Sequence, residues 1–225
     1  MAMLTDNLDS YTAGSDLNGQ GSWSGSTYFD VQTTTYQSSP NGCVSSQTDE
    51  SGQTITKSIS AQTSGTQRVY FYVSSAGQLN TDEIQLRLRE SGAFKCGAKL
   101  RYLTASSNCD FQTVGSSTTT EQTGISANAW HYVDIIFDCS TDTFTIKLDG
   151  GSASASRSFH TAATNIDEVS IFTSVAAPVY FDSFSDPAAP SGPASVKSRT
   201  GVAIASNKSV DGIAIASVKS IIGVA

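Results

Sequence analysis

The sequence lacks long apolar runs, strong charge and helical periodicity. Only 15% of the 225 residues are charged, and no apolar stretch approaches the roughly 20 residues that a membrane-spanning helix requires. The first residues have neither the basic start nor the apolar run of a signal peptide. We therefore expect no membrane insertion and no export by the ordinary secretory route.

Basic residues are also scarce. The chain has 13 Lys and Arg against 20 Asp and Glu, for a net charge of -7, and no segment is rich in basic side chains. Such a chain repels a phosphate backbone, so we expect no nucleic-acid partner.

Cysteine is rare, and its four positions do not suggest a metal site. The sequence has no Cys-x-x-Cys pair and no His at ligand spacing, which gives no support for zinc. Two interpretations remain open. The thiols are buried and free, or Cys96 and Cys109, which flank a predicted hairpin, form a disulfide in an oxidising environment.

Most of the sequence consists of short apolar groups separated by Ser, Thr and Gly. Apolar and polar residues alternate with period two nearly everywhere, which is typical of β-strands. So many short strands predict an all-β fold of two packed antiparallel sheets. The clearest predicted strands are Arg68–Val73, Glu83–Arg89, Lys99–Leu103, Trp130–Phe137, Thr143–Leu148, Glu168–Phe172 and Val179–Phe184.

The chain divides into a β-sandwich over 1–186, a Pro-rich linker over 187–195 and a repeated tail over 196–225. Three of the five prolines fall between Pro187 and Pro193, a composition typical of semi-extended linkers.

The tail repeats with a period of eleven residues, each repeat predicting a strand and a Gly-closed turn, of which Asp211-Gly212 is the clearest. It carries four basic residues and one acidic residue, so it is basic whereas the rest of the chain is acidic. So few strands bury too little apolar area to be stable alone, and we expect the tail to dock on a partner or form a homo-oligomer rather than remain a low-complexity coil. The predicted anchoring residues are Val196, Gly201, Ile204, Gly212, Ile215, Val218 and Gly223.

Three segments resemble a known family. The start, Asp6–Trp23, resembles the first strand and loop of bacterial and phage concanavalin A-like (laminin G-like) jelly-roll domains. A Trp-initiated strand from Trp130 and a following strand that ends in Asp149-Gly150 are similar to that family's central pattern, and Ile166–Phe184 resembles its closing strands. The resemblance covers about 185 residues and implies a concanavalin A-like jelly-roll sandwich.

The family hosts lectins, polysaccharide-binding modules, glycosidases, lyases and structural proteins, so the resemblance does not imply one activity. The repeated Lys-Ser-x-x-Gly-Val-Ala-Ile-Ala-Ser tail resembles C-terminal repeats of phage and marine-virus structural proteins. It implies a virion surface protein, released by host lysis, whose tail binds other virion proteins.

In the resembling family, glycans lie on the outer face of one sheet. Side-chain alternation places apolar residues of the predicted strands in the core and a set of aromatic, amide and cationic residues outside. Rings stack on sugars and Arg forks hold carboxylates or sulfates, which suits an acidic polysaccharide. The alternative is a solvated face with salt bridges to Glu83 and Glu90. The predicted ligand-binding residues are Tyr70, Tyr72, Gln85, Arg87, Arg89 and Arg101, which Lys99 can join.

Catalytic residues are not apparent. Jelly-roll glycosidases resemble one another in a Glu-x-Asp-x-Glu strand, which this sequence lacks. The nearest carboxylates, Asp167 and Glu168, are adjacent and point to opposite faces of a strand. Neither His131 nor His160 lies in a lyase-like motif, and we expect His131 to pack or cap a strand. The sequence therefore predicts a binding protein rather than an enzyme.

No cofactor and no metal are expected. Asp6, Asp9 and Asp182 would converge on a structural calcium ion if the first and last strands pair, but the sequence favours surface Asp residues at strand ends as the explanation of these positions. We expect Trp23 and Trp130 to be core or loop-packing residues.

The sequence thus favours a capsid decoration or fibre protein with a glycan-binding head. The alternatives are a polysaccharide lyase or glycoside hydrolase on the same fold, and a structural cement protein without glycan binding.

Overall fold

A computed structural model describes residues 3–45, 52–75, 83–174 and 178–187, and the backbone of residues 209–210 and 213–214. The chain separates into two compact units, Met1–Ala189 and Pro190–Ala225. The described part of the first unit is built from strands and contains no α-helix. No helix there is therefore long and apolar enough to be a candidate membrane span.

The first unit is a jelly-roll sandwich of two seven-stranded antiparallel sheets. Sheet I has the order β1-β4-β13-β6-β7-β8-β9, and sheet II has the order β12-β11-β10-β5-β14-β3-β2. The strands of sheet I are β1 Trp23–Gly25, β4 Gln53–Gln62, β6 Glu83–Glu90, β7 Ala93–Leu103, β8 Asn108–Val114, β9 Thr118–Ser126 and β13 Ile166–Ser174. Those of sheet II are β2 Phe29–Gln32, β3 Gly42–Ser45, β5 Ser64–Val73, β10 Trp130–Asp138, β11 Thr143–Leu148, β12 Arg157–Ser158 and β14 Val179–Ser185.

The all-β two-sheet prediction is confirmed, and each of the seven predicted strands is present. β11 has the predicted bounds, whereas β5 and β7 begin four and six residues earlier than expected. The predicted turn after β11 has left-handed backbone at Asp149 (φ 49°) and Gly150 (φ 72°), a conformation that Gly adopts without steric cost.

The core lies between the sheets, where alternate residues of each strand meet. In β6, Ile84, Leu86 and Leu88 are fully buried, and Val69 and Phe71 of β5 are likewise inaccessible. Burial of this apolar surface drives the two sheets together. Because side chains alternate, the same register turns Arg87 and Arg89 of β6 outward.

All four cysteines are buried free thiols, so the alternative of a Cys96–Cys109 disulfide is wrong. The predicted hairpin exists, but its register sets Cys109 opposite Tyr102 and Cys96 opposite Leu88 on the other side of β7. Cys96 is therefore six positions along β7 from the residue that faces Cys109, too far for a disulfide.

The N-terminal segment is held by one buried carboxylate. Asp6 forms an isolated bridge with Phe184, and its Oδ2 accepts hydrogen bonds from Lys57 Nζ (2.7 Å), Tyr11 Oη (2.5 Å) and Trp23 Nε1 (3.0 Å). Burial alone would raise the pKa of Asp6, but these donors lower it below its ordinary value. Trp23, 1% exposed, is a core residue as predicted.

In the second unit, β15 Ser209–Val210 pairs antiparallel with β16 Ile213–Ala214, with Val210 opposite Ile213. The pairing brackets the predicted Asp211-Gly212 turn, although the turn itself is outside the described residues. The predicted anchoring residues and the linker residues 188–195 also lie outside them, so those expectations stay predictions.

We expect Asp6→Asn to lower the free energy of unfolding by about 3 kcal/mol at neutral pH, because it leaves the partly buried Lys57 without its counter-charge. Folding lowers the pKa of Asp6, so the contribution of its charge is complete above the ordinary value of 3.8 and declines as pH falls through the folded-state pKa. The difference between variant and wild type should shrink accordingly in urea titrations. Asp9→Asn, in the same segment and bonded to Asn7 and Asn41, is the control. An equal loss in both variants would contradict this account.

We expect none of the four thiols to react with Ellman's reagent in the folded protein, and all four to react in guanidinium chloride. Burial raises the pKa of Cys96 and Cys43 well above the usual range and that of Cys109 to about 12, which suppresses the reactive thiolate. Only two reactive thiols after denaturation without reductant would contradict the free-thiol structure.

Candidate functional site

The predicted binding residues do not form one face. Gln85, Arg87 and Arg89 on β6 and Arg101 on β7 lie on sheet I, whereas Tyr70 and Tyr72 on β5 lie on sheet II. The expectation of a single surface is therefore wrong. Alternation determines which side chains point outward, but it does not determine which of the two sheets a strand joins.

The outer side of sheet I carries a continuous polar surface, which we call the cationic face. Strand register places Lys99 of β7 between Gln85 and Gln112, and Arg101 beside Asp110 of β8. Asp110 and Gln112 are not among the predicted residues because β8 is not among the predicted strands, although its core-facing residues Cys109 and Phe111 alternate with them. The cationic face consists of Gln85, Arg87, Arg89, Lys99, Arg101, Asp110, Gln112 and Ser170.

Several cations of this face are paired with acids. Lys99 Nζ lies 2.7 Å from Glu83 Oε2, and Arg101 Nη2 lies 3.2 Å from Asp110 Oδ2. Arg89 Nε is 3.7 Å from Glu168. The salt bridge to Glu83 that the alternative interpretation predicted is present. Glu90 instead pairs with Lys95, at 3.0 Å.

Arg87 has a different environment. Its guanidinium carbon lies 3.6 Å from the centre of the Phe172 ring and 5.3 Å from that of Phe94, and its Nε donates to Gln85 Oε1 at 2.8 Å. Burial lowers the pKa of Arg87 to about 10. The guanidinium is still charged at neutral pH and is positioned by stacking and by Gln85 rather than by a direct acidic partner.

The cationic face also holds a group of unsatisfied polar atoms. Among the described residues, six buried side-chain atoms have no hydrogen-bond partner, and five of the six lie on this face. Buried polar atoms in folded proteins are nearly always bonded to protein, water or ligand, so five on one face indicate a place where solvent or ligand completes the bonding. They are Arg89 Nε, Arg101 Nε, Asp110 Oδ1, Gln112 Oε1 and Ser170 Oγ.

The side chains around these atoms are inaccessible although they point outward. Gln85, Asp110 and Gln112 are 3–5% exposed, and Ser170 is fully buried. Neighbouring side chains on the face cover them, as Arg87 stacks on Phe172. The result is a tightly packed polar floor with both donors and acceptors.

Tyr70 and Tyr72 belong to a second feature, on the outer side of sheet II. Trp130 of β10 faces Tyr72 of β5, which faces Tyr180 of β14, with ring centres 5.6 and 5.5 Å apart. Tyr132 faces Tyr70 at 5.5 Å. We call these five residues the aromatic row. Trp130 is therefore a half-buried surface residue, and the expectation that it packs in the core or a loop is wrong.

The two histidines lie outside the cationic face and have different contacts. The Nδ1 atom of His131 is 2.6 Å from Asp149 Oδ2, and its Nε2 is 2.9 Å from the Ser126 carbonyl oxygen. His131 thus joins the end of β9 to the turn after β11, in line with the expected capping role. The ring of His160 lies 5.7 Å from that of Phe94.

The carboxylates considered for catalysis or calcium have other partners. Asp167 accepts from the Ser91 backbone N–H at 2.8 Å, and Glu168 contacts Arg89. Asp6 and Phe184 do pair, but the Asp6 carboxylate binds Lys57, while Asp182 accepts from the backbone N–H groups of residues 37 and 38. Among the residues that the structure describes, no three His, Cys, Asp or Glu side chains form a group that could hold a metal ion.

Two shallow clefts lie elsewhere. One of about 350 Å³ is at the sandwich edge, between β9, β11 and the 151–155 loop, and one of about 440 Å³ is beside residues 13–14 and 30–34. None of the predicted binding residues lines either cleft. The unsatisfied atoms of the cationic face are a more specific indication of binding than these clefts, since they carry their own hydrogen-bonding demand.

Comparison with known proteins supports the fold. No protein-family model matches the chain, and no curated protein sequence matches it. Among solved structures, a sialidase has a TM-score of 0.58 at 11% identity over 82% of this chain, which spans only 18% of that protein. A glycosyl hydrolase family protein from Mycobacterium fortuitum has a TM-score of 0.52 at 11% identity, covering 82% of this chain and 99% of its own.

A third structure, from a study of endo-acting O-glycanases of the human gut microbiota, has a TM-score of 0.51 at 8% identity. It covers 83% of this chain and 99% of its own. Identities this low show the shared fold and do not transfer an activity.

We expect Arg87 and Phe172 to be energetically coupled by about 1 to 2 kcal/mol, because the guanidinium is stacked and partly desolvated. A double-mutant cycle with Arg87→Met and Phe172→Leu, followed by urea unfolding, measures this coupling. The control cycle pairs Arg87→Met with Phe144→Leu in the core of sheet II, where the effects should add. Additivity in the first cycle would refute the stacking role.

Proposed function

We propose that the sandwich binds glycans through the cationic face and that the repeated tail anchors it to a larger assembly, as a decoration or fibre protein of a virus particle. The observation that carries the glycan-binding proposal is the set of five unsatisfied polar atoms on the outer side of sheet I. The tail sequence carries the anchoring proposal.

The chemistry of the five atoms suits carbohydrate hydroxyl groups. Two of them, the Nε atoms of Arg89 and Arg101, are donors, and two, Asp110 Oδ1 and Gln112 Oε1, are acceptors. A sugar hydroxyl both donates and accepts, so a glycan can satisfy both kinds of atom once the side chains that cover them move aside. The adjoining guanidinium groups add a preference for carboxylate or sulfate substituents.

Arg101 is the residue best placed to contact such a ligand. Its side chain is 37% exposed, whereas the carboxylate of its partner Asp110 is 8% exposed. A single contact at 3.2 Å to Asp110 leaves the Nε of the guanidinium unbonded. Arg101 can therefore bind an anionic sugar without giving up its position beside Asp110.

The carboxylates of the face favour binding over catalysis. A glycosidase needs a carboxyl group that can hold a transferable proton beside a second carboxylate. Here Glu83, Asp110 and Glu168 each lie within salt-bridge distance of a cation, so each carboxyl group already has a partner within the protein. We therefore propose a binding protein without catalytic activity.

The proposed anchoring rests on the tail sequence. Its alternating Val, Ile and Ala residues form a pattern of strands that require a partner, and its positive charge complements an acidic surface. Many copies displayed on one particle would turn a weak glycan contact into firm attachment through avidity.

A glycan array probed with the full chain tests the head. We expect binding to acidic glycans, and a loss of about tenfold or more in Arg101→Ala and Gln112→Ala, since each removes one of the unsatisfied groups. Lys147→Ala, which removes a lysine from the outer side of sheet II, should bind like the wild type. The glycans are also checked for newly formed sugar ends after incubation with the protein.

The results separate the alternatives. Binding that persists in both variants would contradict the assignment to the cationic face. New sugar ends would establish a lyase or hydrolase. Absence of binding to every glycan would favour a cement protein.

Sedimentation velocity measurements test whether the tail forms oligomers. We expect the full chain to be oligomeric and a chain ending at residue 195 to be monomeric, because the sandwich is a compact unit with its own core. A monomeric full chain over the whole concentration range would contradict oligomer formation through the repeats.

A further inference from the structure

The aromatic row contributes nothing to the cationic face, since it lies on the other sheet. Its five residues span three neighbouring strands, and all five are partly exposed. Their rings contact one another across the strands at 5.5 to 5.6 Å, with tilted or edge-on geometry. Such cross-strand contacts hold the rings in place before any ligand arrives.

The aromatic row can form hydrogen bonds as well as apolar contacts. The four tyrosines of the row, Tyr70, Tyr72, Tyr132 and Tyr180, have ring contacts, but none of their hydroxyl groups is hydrogen-bonded to another described residue. Each hydroxyl can both donate and accept. The surface therefore presents ring faces together with four available hydroxyl groups.

Two basic residues bordering the row are paired within the protein. Arg68 binds Asp134 through two hydrogen bonds of 2.6 and 2.8 Å and lies 4.0 Å from the centre of the Tyr132 ring. His131, next to Trp130, is held by Asp149. With Arg68 and His131 paired, the row itself presents rings and hydroxyl groups without a formal charge, which suits an uncharged ligand, in contrast to the cationic face.

We propose that the aromatic row is a second carbohydrate-binding surface, specific for an uncharged glycan chain. Sugar rings offer C–H faces that pack on aromatic rings, and hydroxyl groups that hydrogen-bond with the tyrosines. A purely apolar partner surface would leave the four hydroxyl groups without bonds, at a cost in free energy. This inference is independent of the function proposed for the cationic face, because it depends on different residues of the other sheet.

Two binding faces on one sandwich have a consequence for the whole protein. The outer sides of sheets I and II point away from each other, so one head can contact two glycan chains at once. An acidic chain would bind sheet I and an uncharged chain sheet II. Attachment to a mixed polysaccharide then gains from both contacts.

Tryptophan fluorescence provides a direct readout, because the chain has two tryptophans and Trp23 is 1% exposed in the core. Full-length protein is titrated with uncharged hexasaccharides of β-1,4-glucose, β-1,3-glucose, α-1,4-glucose, β-1,4-mannose and β-1,4-xylose. We expect a saturable change in emission with at least one of them, and its loss in Trp130→Phe.

Affinity measured by calorimetry should fall about tenfold or more in Tyr72→Ala, since Tyr72 contacts both Trp130 and Tyr180. Tyr72→Leu keeps an apolar side chain in the strand and controls for a folding defect in Tyr72→Ala. It should weaken binding similarly while retaining the wild-type circular dichroism spectrum. Tyr28→Ala removes a 44% exposed tyrosine outside the row and should have no effect.

Arg101→Ala should bind the uncharged sugars normally, so failure of this inference is distinguishable from failure of the cationic face. No saturable response to any of the five sugars at millimolar concentration would overturn the proposal. So would unchanged affinity in Tyr72→Leu. The proposal would also be overturned if Trp130 became better protected from acrylamide quenching as the protein concentration rises. That result would place the aromatic row in contacts between copies of the chain.

Discussion

The structure depends on the burial of one side of the central strands between two sheets. Leu86 and Leu88 of sheet I and Val69 and Phe71 of sheet II are inaccessible to solvent, and their burial requires the alternate residues of the same strands to point outward. The chemistry of the protein surface is therefore a consequence of core packing. A one-residue slip in β6 would bury Arg87 in the core and expose Leu88, so the register of the core also fixes the cationic face.

The outward residues of the two sheets differ in character. Sheet I combines guanidinium groups, carboxylates and amides, and several of its buried polar atoms lack partners among the described residues. Sheet II carries Trp130 and four tyrosines, and its charged neighbours Arg68 and Asp134 satisfy each other. The proposed functions follow this contrast, with an anionic glycan on sheet I and an uncharged glycan on sheet II, displayed in many copies by the tail.

Strand positions and the inward or outward direction of most side chains could be predicted from the sequence. Apolar alternation in segments such as Glu83–Arg89 is a local signal. Strand pairing could not be predicted, because β5 pairs with β10 and β14 while β13 pairs with β4 and β6, all over long sequence separations. For that reason the sequence alone groups Tyr72 with Arg87. The interpretation of Cys96 as a partner for Cys109 fails on register instead, because Cys109 faces Tyr102 in the β7–β8 hairpin. Asp110 and Gln112 became recognisable only once the register placed them beside Arg101 and Lys99.

The most direct test of the central claim is a crystal structure of the full chain with a bound acidic oligosaccharide. The account predicts sugar oxygens within hydrogen-bonding distance of Arg101 Nε and Gln112 Oε1, and a carboxylate or sulfate group against the guanidinium groups of sheet I. An oligosaccharide bound elsewhere, with these atoms contacting only ordered water, would contradict it.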